Sequence, residues 1–242
     1  MDERENEPEA PSWDLDDPAL YLNRELTWLA FNERVLHEAS DPRTPLLERA
    51  RFLAIVGGTL DEFFMKRIGG LKQQIGAGVV ELSLDGRTPE QQLGACQATL
   101  SVRQEQLRQV FDQIVLELAE HDIHLVPHSS LSDEQRALVR ADYLHNVFPL
   151  VTPQAMDPAH PFPFISNLSL NLLVSLQLEG DREALMARIK VPLGSGVPRL
   201  LKVGDEHRYV PLEQVMAANL DLLFPGLRVQ ACSFFRVTRN AN

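Results

Sequence analysis

The apolar residues of this chain change their period near residue 122, and that change constrains the fold more than any single motif does. Up to that point they recur at helical spacing. Leu26, Leu29, Val35 and Leu36 follow Leu22 and Asn23, and Asp41-Pro42 stops the run. Thr44 offers an N-cap to a second helix, with Pro45 at the first helical position, where its missing N–H costs little. Gly57-Gly58 marks the end of that helix, because glycine accepts the left-handed conformation that follows a helix C-terminus. A third helix is then predicted to start at Thr59, with Leu60, Phe63, Phe64, Ile68, Leu71 and Ile75 on one face. After a glycine-bearing loop at 76–87, Thr88, Pro89 and Gln91 make a capping-box start to a long helix. Its stripe is Leu93, Cys96, Leu100, Leu107, Phe111, Ile114 and Leu118. Four such helices predict a small bundle or a helical hairpin.

Beyond residue 122 a period of two takes over. "DIHLVP" is short and strand-like, and Ser132 with Gln135 starts one more helix through a second capping box. Leu168, Leu170, Leu172, Val174, Leu176 and Leu178 alternate against mostly polar neighbours, the clearest strand in the chain. "ARIKVPL" adds a strand, and "RLLKVGDEHRYVPL" a hairpin turning near Gly204-Asp205. A helix over "LEQVMAANLDLLFPG" is closed by Pro225-Gly226, and "VQACSFFRVTRNAN" is a last strand. The predicted fold class is multi-domain, α then α+β. An all-α domain spans 20–122, and an α+β domain spans 123–242 and is expected to be incomplete at Asn242. Pro153, Pro158, Pro161 and Pro163 fix φ along one segment, which predicts a rigid, extended connector carrying Asp157 and His160.

Charge narrows the partners. Of the 242 residues, the first twenty carry eight acidic side chains against Arg4 alone, and so supply most of the formal net charge of −11. Residues 1–19 are expected to be a disordered acidic leader, of the wrong sign for a signal or transit peptide. No apolar run approaches membrane-spanning length, so a cytoplasmic location is expected. An acidic body argues against nucleic acid, whose binding rests on neutralising phosphates with Lys and Arg. Cys96 and Cys232 lie far apart, fit no metal or redox spacing, and are expected as small buried residues. His121, His124 and His128 have helical spacing in a segment that alternates as a strand, so their side chains should not converge on a metal. HExxH, the phosphate-cradling GxxxxGK[ST], a GxGxxG after a strand and GxSxG are all missing from the sequence. No catalytic residue and no metal ligand is therefore assigned.

"VGGTLDEFFMKRIGGL" concentrates glycine, charge and aromatic residues between Val56 and Leu71. Local rules account for all of it. Thr59 and Glu62 form a T-x-x-E capping box, and Asp61 and Glu62 sit at the positive end of the helix dipole. Glu62 and Lys66 make an i, i+4 ion pair, and Phe63 and Phe64 face the core.

Four blocks in order carry a resemblance: "YLNRELTWLAFNERVLHEA", "PLLERARFLAIVGGTLDEFFMKRIGGLK", "VTPQAMDPAHPFPFISNLSLNL" and "FFRVTRNA". Together they resemble the N-terminal part of long-chain bacterial polyphosphate kinases, from about Leu20 to Asn242. The resemblance implies reversible transfer of the terminal phosphoryl group of ATP to inorganic polyphosphate, through a phosphohistidine and with Mg²⁺. It implies an all-α N-terminal domain, a middle α+β domain used in forming a homo-oligomer, and two C-terminal domains that hold the phosphorylated histidine and most of the polyphosphate path. It therefore implies ATP or ADP and polyphosphate as partners of the complete enzyme, and no activity for these 242 residues alone. The family contacts the nucleotide base through an Asn just before Leu-Asp-Glu-Phe. Here that position is Thr59, which makes Thr59 the candidate ATP-binding residue and the place where the chain departs from the family. A free-standing, non-catalytic interaction or regulatory module with the same fold is the alternative.

Overall fold

The computed structural model describes residues 14–156, 162–178, 184–194, 196–204 and 206–240. Most of the acidic leader lies outside them, as do Asp157 and His160 of the proline run.

The first half is helical, as its period predicts. Helix α1 (Arg24–Ser40) is capped by Asn23, whose side-chain oxygen accepts from the N–H groups of Glu25 and Leu26. Helix α2 runs Leu46–Phe63, with Pro45 rather than Thr44 at the cap position. It does not stop at Gly57-Gly58. The chain passes through a wider π turn at Phe64–Ile68 into α3 (Gly69–Gly76) without leaving the helical course. Thr59 is therefore an interior residue, and neither its capping box with Glu62 nor the dipole role of Asp61 and Glu62 exists. The reason is tertiary. Two helical glycines cost about 1 kcal/mol each relative to alanine, but Val56 and Phe63 on either side of them are both 1% exposed. Ending the helix would break that buried face.

Helix α4 (Pro89–Glu120) starts at the Thr88/Gln91 capping box as predicted and packs across α1, α2 and α3. Leu29, Phe63, Ile68, Leu71 and Cys96 form one core, and Leu36, Ala39 and Val56 a second. Arg103 crosses this bundle, donating to the Leu29 carbonyl and to Glu33 at 2.8 Å.

The second half is α+β. Strand β1 (His124–Leu125) lies parallel to β6 (Arg208–Pro211), which pairs antiparallel with β5 (Leu200–Lys202). The β5–β6 turn contains Gly204 at φ 66°, in the hairpin predicted there. A larger antiparallel sheet has the order β2-β4-β3-β7, formed by Pro153–Met156, Ala184–Lys190, Leu170–Leu178 and Leu227–Arg236. Leu172, Val174 and Leu176 point into the core with Ala187 and Ile189. Helix α5 (Asp133–Asp142), begun by the Ser132/Gln135 box, covers that core together with α6 (Leu212–Ala218).

Three local expectations are corrected. Leu168 is not in the strand: it turns in the left-handed region at φ 57°, and β3 begins two residues later. The proline run is not loop throughout, since Pro153 opens β2, an edge strand where its missing N–H is tolerated. The last helix is split at Asn219, ahead of α7 (Leu220–Leu223), where the Asn219 amide donates back to the Val215 carbonyl at 2.7 Å.

Candidate functional site

Helices α1 and α2 pack antiparallel in matching steps around Thr59. Trp28 stacks on Phe63, with ring centroids 4.7 Å apart and planes 19° from parallel. One turn along each helix, the Asn32 amide donates to Thr59 Oγ1 at 2.8 Å. Asn32 is only 3% exposed. The Thr59 hydroxyl sends its own hydrogen back along the helix, 2.9 Å from the Ile55 carbonyl and 3.1 Å from that of Val56. A hydroxyl has one hydrogen and two lone pairs. Here the hydrogen and one lone pair are committed, which leaves one acceptor position. Asn32 had no signal in the sequence, because its role depends on α1 lying beside α2.

Gly57 and Gly58, on the same stretch of α2, are exposed. A Cβ placed on either would meet nothing within 4 Å. This is bare helical backbone beside the one open acceptor of Thr59. Glu62 and Lys66 form the predicted ion pair one turn on, and the lysine's hydrogen bond holds the Glu62 carboxyl below its ordinary value. Phe63 is buried, whereas Phe64 is 41% exposed and not the core residue expected.

The rest of the Val56 to Leu71 stretch meets the far end of the chain. Asp61 takes two hydrogen bonds from the Arg236 guanidinium, at 2.8 and 2.7 Å. Met65 Sδ accepts from the Asn167 amide at 2.8 Å, and Asn167 Oδ1 accepts from the Arg239 backbone N–H at 2.9 Å. Arg239 lies over the Phe164 ring at 4.3 Å. Gly69 is closely approached by Asn240, whose Cγ would lie 3.1 Å from a Cβ there. Three blocks widely separated in sequence thus form one junction between α2–α3 and the end of β7.

Other polar groups settle as structural. Arg188 is 6% exposed and donates to Asn171 Oδ1 at 2.8 Å and Gln154 Oε1 at 2.6 Å; burial lowers its pKa. Burial pushes the Cys96 thiol up to about 11 and raises that of the half-buried Cys232, so neither is a ready thiolate. His124 is committed to β1, and among the described residues no three His, Cys, Asp or Glu side chains gather to hold a metal.

Comparison with known proteins agrees with this architecture. The family description "Polyphosphate kinase N-terminal domain" matches residues 21–126, and "Polyphosphate kinase middle domain" matches residues 134–242. A polyphosphate kinase of Synechocystis sp. is 50% identical over 247 residues, covering 97% of this chain and 34% of its own length. One from Mycobacterium ulcerans is 43% identical and is covered over 31% of its length by 92% of this chain. The crystal structure of polyphosphate kinase from Porphyromonas gingivalis superposes with a TM-score of 0.78 at 29% identity, over 91% of this chain and 33% of that one. The chain therefore spans about a third of the length of these relatives. With both family descriptions matched in order along one continuous fold, the chain belongs to the polyphosphate kinase family.

Proposed function

We propose that these residues form the nucleotide-side and assembly end of a polyphosphate kinase, which transfers the terminal phosphoryl group of ATP reversibly to inorganic polyphosphate. The observation that carries the nucleotide reading is the bare Gly57-Gly58 backbone beside the single open acceptor of Thr59. Glycines inside a helix are costly, and nothing packs on these two, so packing does not explain them. A planar base can lie flat there. Thr59 then accepts from an exocyclic amino group of the base and has no hydrogen left to donate.

Phosphoryl transfer is mostly positioning and charge stabilisation. Mg²⁺ is assigned to the complete enzyme, with no ligand for it among these residues. None of the seven histidines is assigned as the nucleophile. Assembly into a homo-oligomer is assigned to the α+β part, where β7 is an edge of its sheet and Val229–Phe235 carries no charge to blunt it.

Nucleotide binding is tested by titrating the chain with ADP, and with pyrophosphate as a control that lacks the base, while following the amides of residues 55–62. Saturable shifts with ADP, weakened severalfold in Thr59→Val and in Gly58→Leu, are expected. Equal response to ADP and pyrophosphate, or shifts that ignore Gly58→Leu, would overturn the assignment. Incubation with terminally labelled ATP and Mg²⁺ should leave no acid-labile label on these residues alone.

A further inference from the structure

The larger sheet holds cations and no anions. Its strands β2, β4, β3 and β7 carry Arg188, Lys190, Arg228 and Arg236 and not one acidic residue, in a chain of formal net charge −11. Ala187 and Ile189 turn into the core. Arg188 and Lys190 alternate with them and so project from the opposite face of β4, about 7 Å apart along the strand.

Arg188 is buried without an opposite charge. Its partners among the described residues are two neutral amides, Asn171 on β3 and Gln154 on β2. Burial lowers its pKa, and no carboxylate acts in the other direction. Burying a charge in that state is costly, and buried charges are normally paired. The other buried arginines, Arg49 and Arg103, do have acids, Glu117 and Glu33. Holding the strands together takes two of the N–H groups of Arg188, and the rest of its guanidinium fork is uncommitted. Nη2 has no partner among the described residues, yet it is not sealed in, because the buried side-chain atoms left unpartnered there are Glu25 Oε2 and Tyr143 Oη. It therefore opens to solvent. Two further donors stand beside it. Gln154, exposed and directly across from Arg188, gives its Oε1 to the guanidinium and so keeps its Nε2 hydrogens free. Lys190 is exposed and has no ion pair among the described residues. The Asn171 amide is committed elsewhere, donating to the Ser169 carbonyl at 2.8 Å and to Ser169 Oγ at 3.2 Å.

We propose that Arg188, Gln154 and Lys190 form a binding site for an oxyanion, a phosphate or carboxylate group. The planar fork of Arg188 suits two oxygens of one such group and remains charged when buried. Lys190 adds a point charge and Gln154 a neutral donor, and the sheet sets no acidic residue against the ligand. A cation would meet Arg188 and Lys190, and a halide cannot use the two-point geometry of the fork. The site lies in the α+β half and is independent of Thr59 and of the nucleotide reading.

The probes are inorganic phosphate and acetate, with chloride at matched ionic strength as the control. Each is titrated into the whole chain while following the Arg188 Nε–H and the backbone amides of Gln154, Arg188 and Lys190. At least one oxyanion should give saturable shifts there that chloride does not. Arg188→Lys, which keeps the charge and loses the fork, should weaken it about tenfold, and Lys190→Gln severalfold. Should the Arg188 variant fail to fold, the exposed Lys190→Gln carries the test by itself. Chloride reproducing the shifts of both oxyanions, or affinity untouched in Lys190→Gln, would sink the proposal. Phosphate binding tighter than acetate names a phosphate group as the source, and the reverse names a carboxylate.

Discussion

Thr59 shows how much one hydroxyl can be asked to do. It satisfies the buried Asn32 amide, bonds back to its own helix and keeps one acceptor open. Thr59→Val preserves the shape and strands the Asn32 Nδ2 hydrogen, so it should cost about 1–3 kcal/mol in urea unfolding. Asn32→Leu alongside it should recover part of that loss, since both partners are then apolar. A second residue-scale prediction concerns Arg49, which is 5% exposed and pairs with Glu117 at 2.5 Å. Arg49 holds the Glu117 carboxyl below its ordinary value of 4.5. The stability this supplies is complete above that value and is lost as the pH falls through the lower folded value. Glu117→Gln should therefore destabilise at pH 7, and the gap to the parent protein should close as urea melts are repeated at acid pH.

Among the elements, what could be read from the sequence depended on how local the cause was. The capping boxes at Thr88/Gln91 and Ser132/Gln135 formed as predicted because every partner lies within four residues. The alternation of Leu172, Val174 and Leu176 was equally plain, because one face of a strand repeats every second residue. Gly57-Gly58 misled because a local stop signal competed with a buried face that runs through it. That competition yields a prediction. Since neither glycine has a positive φ and neither has a neighbour within 4 Å of a Cβ, alanine fits at both. Gly57→Ala and Gly58→Ala should each stabilise α2 by about 0.5–1 kcal/mol, which is roughly 2–4 °C per kcal/mol in Tm for a chain of this size. Nucleotide affinity should fall in the same variants, because the added methyls stand where the base lies. A rise in Tm with unchanged ADP binding would leave Gly57-Gly58 without a ligand role.

For the whole molecule, the decisive contact is the junction of Asp61 with Arg236, supported by Asn167 on Met65 and by Asn240 on Gly69. It joins the helical half to the end of β7 across most of the chain's length. Both partners are partly exposed, so the pair should contribute up to about 1 kcal/mol, screened by salt. A double-mutant cycle with Asp61→Asn and Arg236→Gln should show that coupling at low ionic strength and lose most of it in about 1 M salt. The single variants should also let the two halves unfold at more widely separated denaturant concentrations, seen by hydrogen exchange. The edge position of β7 belongs to this scale as well. Assembly through that edge predicts that Ala231→Lys, on the exposed strand, reduces self-association in sedimentation.

Periodicity, rules between near neighbours and long ordered blocks were enough to read most of the order of elements, the α to α+β change, the two capping boxes and the family. Each of these has its cause within a few residues or in a pattern that repeats along the chain. Three facts about the candidate site are of another kind: Thr59 lies inside a helix, Asn32 meets it, and Asp61 answers Arg236. Those are contacts between distant segments, and they exist only once the chain is packed. Whether a glycine pair ends a helix, or a carboxylate finds a partner, is settled by what the rest of the fold places beside it.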